Sequence, residues 1–584
     1  MASAARPEAA GIAKRFRGSV RRGISSERAV SRVEPRAETA DFVDEQRSGR
    51  ALLLLVEAVA QTRSVRPGED DCAMAQNFIE CDREQVFLMP PSLREWLPED
   101  HLAWFVLEAV EEMDLTEFYA DYRSDGHGRA AYEPSMMVAL LLYAYATGQR
   151  SSRAIEIHCR QDIAYRVIAA NRVPDHATIA RFLARHEAAL ADLFGSVLRL
   201  CAKAGLVSTG VVAIDGTKLS ANAGREANLD YERIAREILA EAKATDEAED
   251  ERFGEARGDE LPAELRTREG RRAWLAEAKR ALDAEPTDPP QAASEPVDEP
   301  PSMPRGRALN QGRRGWLRDA RQSLDERRAQ RARRVPRSRG ARLSEAKRRL
   351  EEELVAERRA NAAYVAYRAR GISRDGRRFG GDPPSPYQLP DTPAGKINTT
   401  DPDSRLLKAP GIGYVQGYNA QAAVNERQIV LAAEIAVDSP DFGHLEPMVD
   451  ATASELERAG VTDSPQVVVA DAGYWHHEQM DSLAAGGIQV LIPLDAGKRK
   501  SARPGWQGGR YEWMRRVLST ELGERLYRQR SQTVEPMFGH TKHNRGMSRF
   551  HRRGRSAART EWRLITATHN LTKLHSHTLA AATP

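Results

Sequence analysis

The spacing of apolar residues predicts a block of helices in the first third of the chain. Residues 134–147 are apolar on nearly every side, which predicts a buried helix. Residues 153–169 are amphipathic, and Pro174 and Asp175 mark the start of a further helix. Short helices joined by tight turns are typical of a helix-turn-helix, although an ordinary helical packing domain gives the same pattern. We therefore expect an all-α N-terminal domain over residues 85–200.

Strand-like sequence begins near residue 205. The run VVAID leads into Asp215 and the run VVVAD leads into Asp471. Each run predicts a buried strand with an aspartate at or near its carboxyl end. Two β-rich runs around Asn425 predict a hairpin, and amphipathic helices are predicted between and after these strands. Residues 205–225 and 395–575 are therefore expected to form one α/β domain, a mixed sheet flanked by helices.

A charged insertion separates the first strand from the hairpin and covers residues 226–390. It contains eight acidic residues against two arginines over residues 246–260, and seven prolines over residues 286–304. Residues 305–350 hold 17 Lys or Arg against four Asp or Glu. We expect a helical or partly disordered segment, with a long exposed helix from about residue 343. Its basic half either follows a phosphate backbone or pairs with the insertion's own acids.

Composition adds limits to this division. The chain has 584 residues, 29% of them charged, and a net charge of +3. With a mean hydropathy of −0.57 and no apolar run of membrane-spanning length, a soluble protein of about three or four domains is expected. The cysteines lack the spacing of a zinc site and fit a reducing cytoplasm. Residues 1–80, rich in Arg, Ala and Glu, are expected to be a disordered N-terminal extension.

The candidate chemistry depends on three acids. A charged side chain directly after four apolar residues costs free energy unless it is solvated, paired or bound to a metal. Asp215 and Asp471 share this pattern, and Glu535 lies on a predicted helix among basic residues. Three neighbouring carboxylates would repel one another unless divalent cations were bound, and Mg²⁺ prefers oxygen ligands. We expect two Mg²⁺ ions, with Asp215 bridging both, Asp471 holding one and Glu535 the other.

The segment around Glu535 contains cations on both sides. Arg528 and Arg530 precede Glu535, and Lys542 follows it by seven residues, so a helix would place Glu535 and Lys542 on nearly the same face. Pro536 is unfavourable in mid-helix, which predicts a helix that begins near Thr533 or is kinked there. A solvated helix face with mixed charges is the alternative interpretation of this segment.

Three sequence blocks together resemble a known family. VVAIDGTKLSANA, VVVADAGYW and YRQRSQTVEPMFGHTKHNRG resemble the catalytic blocks of DDE transposases of bacterial insertion sequences. The resemblance covers roughly residues 87–225 and 395–575. It implies a ribonuclease-H-like catalytic domain, with the first Asp on strand one, the second after strand four and the Glu on a later helix. It also implies that Asp215, Asp471 and Glu535 are the catalytic residues and the metal ligands.

The same resemblance implies DNA contacts near Glu535. Tyr527, Arg530 and Lys542 match the Tyr, Arg and Lys that the family places at the DNA end, although the family's Arg lies four residues before the Glu, where this chain has Ser531. Arg528 is the alternative arginine. A basic stretch over residues 542–563, which includes Arg545 and the aromatic residues Phe550 and Trp562, is expected to bind phosphates, and an aromatic side chain there either stacks on a base or belongs to the core.

These observations predict a cytoplasmic, nucleoid-associated DNA transposase that cleaves and joins DNA with Mg²⁺, or Mn²⁺ as a substitute. Its expected partners are double-stranded DNA, at the element's ends and at the target, and a second copy of the chain in a homodimer on paired ends. Two other functions fit the sequence. One is a ribonuclease-H-like nuclease without strand transfer, and the other is a catalytically inactive DNA-binding protein from a decayed element.

Overall fold

The structure of the protein is a computed structural model. The described residues are 92–120, 122, 131–253, parts of 267–277, 312–330, parts of 335–379 and 387–409, 413–494 except 439, and 509–582. The predicted N-terminal extension and the proline-rich part of the insertion lie outside these residues. The expectations for these two segments therefore stay predictions.

The N-terminal part of the described chain is helical, as the apolar spacing predicts. Helix α3 is buried along almost its whole length, and helix α6 begins directly after Asp175, whose side chain accepts a hydrogen bond from the Thr178 amide. The seven helices of this block are α1 Leu102–Glu111, α2 Thr116–Ala120, α3 Pro134–Ala146, α4 Ser152–Gln161, α5 Ile163–Ile168, α6 His176–Arg185 and α7 Glu187–Lys203.

A mixed sheet follows, and β1 lies at its centre. Strand β1 pairs antiparallel with β5 and parallel with β7, β8 extends the sheet parallel to β7, and both β4 and β6 pair antiparallel with β5. The strands of this sheet are β1 Val211–Ser220, β4 Arg405–Ala409, β5 Gly413–Asn425, β6 Val430–Ala436, β7 Val467–Ala470 and β8 Gln489–Leu491, while β2 Asn228–Asp230 and β3 Lys396–Asn398 form a separate pair.

The sheet confirms an α/β fold and corrects one detail. Asp471 directly follows β7, as predicted. Asp215, in contrast, lies in the middle of β1, because this strand continues to Ser220. The continuation is stabilised by β5, which remains paired with β1 as far as Ser220 after the β7 ladder has ended at Ile214. The glycine after Asp215 therefore does not end the strand.

The remaining helices pack around the sheet and share its core. One continuous hydrophobic core contains side chains of the N-terminal helices, the sheet and the C-terminal helix, including Leu140, Phe194, Val424 and Ile565. Side chains on both sides of the predicted boundary near residue 200 thus belong to the same hydrophobic core. These helices are α11 Leu445–Arg458, α12 His477–Ala485, α13 Gly509–Ser519, α14 Glu521–Gly539 and α15 Arg555–Ala582.

The described part of the insertion is folded and joined to the sheet. Its helices are α8 Tyr231–Phe253, α9 Gly312–Gln330 and α10 Arg339–Ala369. Helix α10 is not wholly exposed, because Leu343 and Leu350 are buried in a small core beside β2 and β3. Asp403, just before β4, pairs with Arg349 of α10 and accepts a hydrogen bond from the Arg555 amide at 2.9 Å.

Several charges of the described insertion pair with one another or with β4. Arg328 of α9 lies 3.0 Å from both Glu352 and Glu353 of α10, and Asp325 of α9 lies 3.2 Å from Arg405 of β4. These pairs favour the self-paired helical hairpin over a free basic surface for this part of the insertion. Separately, none of the helices in the described ranges is long and apolar enough to cross a membrane.

Candidate active site

Asp215 and Asp471 lie side by side on neighbouring parallel strands. Ile214 pairs with Ala470 in the β1–β7 ladder, so the next residue on each strand is one of the two aspartates. Neighbouring strands are about 4.8 Å apart, which brings the two side chains to one position on the sheet. Each carboxylate also accepts a local backbone hydrogen bond at 2.8 Å, from Gly216 to Asp215 and from Gly473 to Asp471.

The surroundings of Asp215 favour a bound cation. The Asp215 side chain is only 15% exposed. Burial raises the pKa of Asp215 to about 6, against the opposing effect of the Arg530 guanidinium and with a further rise from the Asp471 carboxylate. Ionised Asp215 is therefore costly unless positive charge lies next to it, and both the Arg530 guanidinium and a bound cation lower that cost.

Glu535 approaches Asp215 from helix α14, and Arg530 lies between them. The Arg530 Nη1 atom is 3.1 Å from Asp215 Oδ2 and 3.8 Å from Glu535 Oε1. Both acids thus contact one nitrogen, which brings the third acid into the same region as the first two. The Glu535 side chain is 60% exposed, whereas that of Arg530 is 16% exposed. The site accordingly opens to solvent on the Glu535 side.

Helix α14 corrects the prediction of a helix beginning near Thr533. It begins at Glu521, where the Thr520 side chain caps it, and continues through Pro536 to Gly539.

A π-helical turn over residues 540–544 follows α14, and it contains Lys542. The Lys542 ammonium contacts Thr217, two residues after Asp215 on β1 and therefore on the same face of the strand. Burial and Lys218 lower the pKa of Lys542, an effect that Asp215 partly opposes.

The other predicted DNA contacts differ in their exposure. Tyr527 lies about one turn before Arg530 on α14, and the two side chains form a hydrogen bond. Arg528 is 70% exposed and its guanidinium lies 2.6 Å from Glu524. Arg530, despite lying five residues before Glu535, is therefore the arginine that reaches the acids, while Arg528 faces solvent.

The prediction for Arg545 is wrong in this structure. Its side chain is 7% exposed, and its guanidinium donates to the backbone oxygens of Tyr145 at 2.6 Å and Ile565 at 3.0 Å. These acceptors leave Arg545 no access to DNA. Phe550 and Trp562 are likewise fully buried core residues, which excludes base stacking by either one in this conformation. A basic residue in a basic stretch gives no indication of burial, so sequence reasoning missed this.

One acid near the site was missed entirely. The Asp441 carboxylate accepts hydrogen bonds from Asn419 Nδ2 at 2.7 Å and Gln421 Nε2 at 2.9 Å, and Lys218 Nζ lies 3.2 Å away. Lys218 and Asp215 point to opposite faces of β1, so this polar cluster lies behind the strand that carries Asp215. A side chain at Gly216 would lie within 2.5 Å of Asp441 Oδ1.

The sequence did contain one indication of this cluster. Asn419 and Gln421 are fully buried polar residues that alternate with alanines along β5. Polar side chains with a period of two in a buried strand predict a polar face, and such a face needs partners. In the described ranges, no three His, Cys, Asp or Glu side chains are grouped closely enough to hold a metal ion as they stand. Between Asp215 and Glu535 the intervening cation is Arg530.

Comparison with known families agrees with this description. Residues 91–185 match the family described as Transposase domain (DUF772), and residues 496–575 match the family described as Transposase DDE domain. The first match covers the N-terminal helices as far as the end of α6. The second contains Glu535 and most of its basic surroundings, whereas Asp215 and Asp471 lie outside both matches. No curated protein and no solved structure matches the chain. The match to a transposase domain before the sheet and the match to a DDE domain around Glu535 together support an insertion-sequence DDE transposase.

Proposed function

We propose that Asp215, Asp471 and Glu535 form the site at which this transposase cleaves and joins DNA, with two Mg²⁺ ions or Mn²⁺ as a substitute. The observation that carries the proposal is the pairing of Ile214 with Ala470, which makes two aspartates from distant parts of the chain neighbours. The contact of Arg530 with both Asp215 and Glu535 adds the third acid.

The donor set suits the hard divalent ions on which DDE enzymes depend. All three side chains offer carboxylate oxygens, and a buried Asp215 beside Asp471 has an electrostatic need for positive charge. When bound, such ions activate the attacking oxygen and stabilise the leaving oxygen of a phosphoryl transfer. The protein's own part is to hold Asp215 and Asp471 on rigid strands and to present Glu535 from α14.

The strand arrangement supports a ribonuclease-H-like catalytic domain. Apart from β4, the sheet has the order β6–β5–β1–β7–β8, with β5 and β6 antiparallel and β7 and β8 parallel to their neighbours. In this sheet Asp215 lies on the first strand, Asp471 follows the fourth, and Glu535 lies on a later helix. These are the positions that the resemblance to transposases implies.

The DNA contacts that we propose lie around the same site. Lys542 reaches the face of β1 that carries Asp215, Arg530 contacts two of the acids, and Tyr527 lies beside Arg530. Arg528 extends the positive surface into solvent, where it would contact a phosphate. On the N-terminal helices, Arg181 and Arg185 of α6 are exposed and are further candidates. A homodimer that holds paired ends stays our working model for the active assembly.

Cleavage of DNA that flanks this gene tests the proposal. The variants are Asp215→Asn, Asp471→Asn and Glu535→Gln, with Asp463→Asn, an exposed aspartate before β7, as the matched control. We expect each of the three to lose at least about a hundredfold in Mg²⁺-dependent cleavage, because the ions supply several kcal/mol of transition-state stabilisation. DNA binding should survive in all four proteins. Near-normal cleavage by any of the three acid variants would overturn the assignment.

A further inference from the structure

The position of Arg530 suggests a role beyond DNA contact. Its Nη1 atom lies between two of the acids that the proposed function assigns to metal, at 3.1 Å from Asp215 and 3.8 Å from Glu535. The side chain is largely buried, and Tyr527 holds it from the same helix. Neither acid can therefore receive a shared cation while the guanidinium remains in this position.

We propose that Arg530 is a built-in counter-cation of the carboxylate site, which occupies the space between Asp215 and Glu535 in the DNA-free protein and which a divalent metal ion displaces. This inference rests on the proposed function, because it assumes that these acids are metal ligands. It adds that the chain sets its own metal affinity through a competing side chain.

The chemistry of arginine makes the competition direct. A guanidinium does not lose its proton in proteins, so Arg530 leaves the acids only by moving. Metal binding must therefore break the contact with Asp215, a hydrogen bond in which both partners are charged and partly buried. The apparent affinity for metal is therefore the intrinsic affinity multiplied by the fraction of molecules in which Arg530 has moved away.

The displacement links metal to DNA. Once released, the guanidinium lies at the open side of the site, next to Glu535, where a phosphate oxygen offers it a new partner. A phosphate that holds Arg530 away from the acids also favours the metal-bound state. By reciprocity, metal must then favour DNA binding by the same factor. The acids would thus be fully loaded only when DNA is present.

Titration of the DNA-free, full-length protein with Mn²⁺, followed by electron paramagnetic resonance, tests the inference without any measure of activity. We expect Arg530→Gln to bind Mn²⁺ at least about tenfold more tightly than wild type, since hydrogen bonds to charged groups contribute at least this much. Arg528→Gln is the matched control, because it removes the same charge from the same helix at an exposed position. Its affinity should stay within about twofold of wild type.

The outcomes separate the inference from the proposed function. An Arg530→Gln variant that binds Mn²⁺ no more tightly than Arg528→Gln overturns the inference and leaves the proposed function intact. An Asp215→Asn variant that binds Mn²⁺ as well as wild type overturns the proposed function itself. Circular dichroism establishes that each variant is folded. Arg530→Lys, which keeps the charge but loses the forked donor, provides a second comparison and should fall between wild type and Arg530→Gln.

Discussion

Gln428 donates a hydrogen bond from Nε2 to the backbone oxygen of Gln532 at 2.9 Å. Gln532 precedes Pro536 by four residues, and proline has no N–H to donate, so the helix itself leaves this oxygen without a partner. Gln428 lies in the β5–β6 turn with a left-handed φ of 62°. Its own side-chain oxygen accepts from Lys573 at 2.6 Å. A residue 104 positions away thus replaces the missing helix bond beside Glu535.

This contact predicts a specific rescue. Gln428→Ala should lower the free energy of unfolding by about 1 kcal/mol, the usual net contribution of one hydrogen bond. Pro536→Ala restores an N–H for Gln532, so the same Gln428→Ala change should cost much less in that background. Chemical denaturation of the four proteins gives the coupling. Equal costs in both backgrounds would show that the Gln428 side chain does not support the helix in this way.

The Asp441–Lys218 pair should be important for the strand that carries Asp215. Both side chains are largely buried, at 14% and 11% exposure, so Asp441→Asn leaves Lys218 with reduced compensation for its charge. We expect a loss of about 2–3 kcal/mol in stability. Lys218→Met should recover part of this loss when it is combined with Asp441→Asn. Denaturation measures both effects, and strictly additive losses would contradict a direct interaction.

Arg545 should affect stability and not DNA affinity. Arg545→Met removes three buried hydrogen bonds, to the backbone oxygens of Tyr145 and Ile565 and to the Thr568 hydroxyl, which should cost about 2–4 kcal/mol. Folded Arg545→Met should bind DNA with the affinity of the wild-type protein. Arg528→Gln provides the opposite case, because its exposed side chain should lower DNA affinity with little change in stability. A fall in DNA affinity for folded Arg545→Met, measured by a binding titration, would contradict the buried role.

His569 should make the protein less stable below neutral pH. Burial lowers the pKa of His569 to about 3, although its hydrogen bond with the Gln428 backbone oxygen opposes this. The unfolded chain binds a proton near pH 6.5, so stability is complete above that pH and falls as pH decreases from about 6.5 towards 3. Between pH 7.5 and 5.5 this group should account for about 1.4 kcal/mol. In His569→Gln, the loss of stability over that interval should be smaller by this amount, whereas an unchanged pH dependence would rule out His569 as the source.

The sequence by itself determined the elements and the two aspartates. A short, unbroken run of apolar residues predicts a strand that is buried on both faces, and the pattern of an aspartate after such a run needs no knowledge of distant residues. The helices before residue 200, the hairpin at Asn425 and the cap at Asp175 were predictable for the same reason. The basic residues around Glu535 made it a candidate, and the resemblance to transposases supported its connection to the aspartates, which no local periodicity would have shown.

Only the tertiary structure decided what surrounds those acids. Asp215 and Arg530 are 315 residues apart, and their contact depends on how α14 crosses the sheet. The burial of Arg545 and the approach of Asp441 behind β1 depend on the same packing, since a charged residue looks alike in sequence whether it faces solvent or a buried partner. Gln428 completes a helix in another part of the chain. Strand register and helix packing are properties of the whole fold, which explains why local patterns located the acids but not their partners.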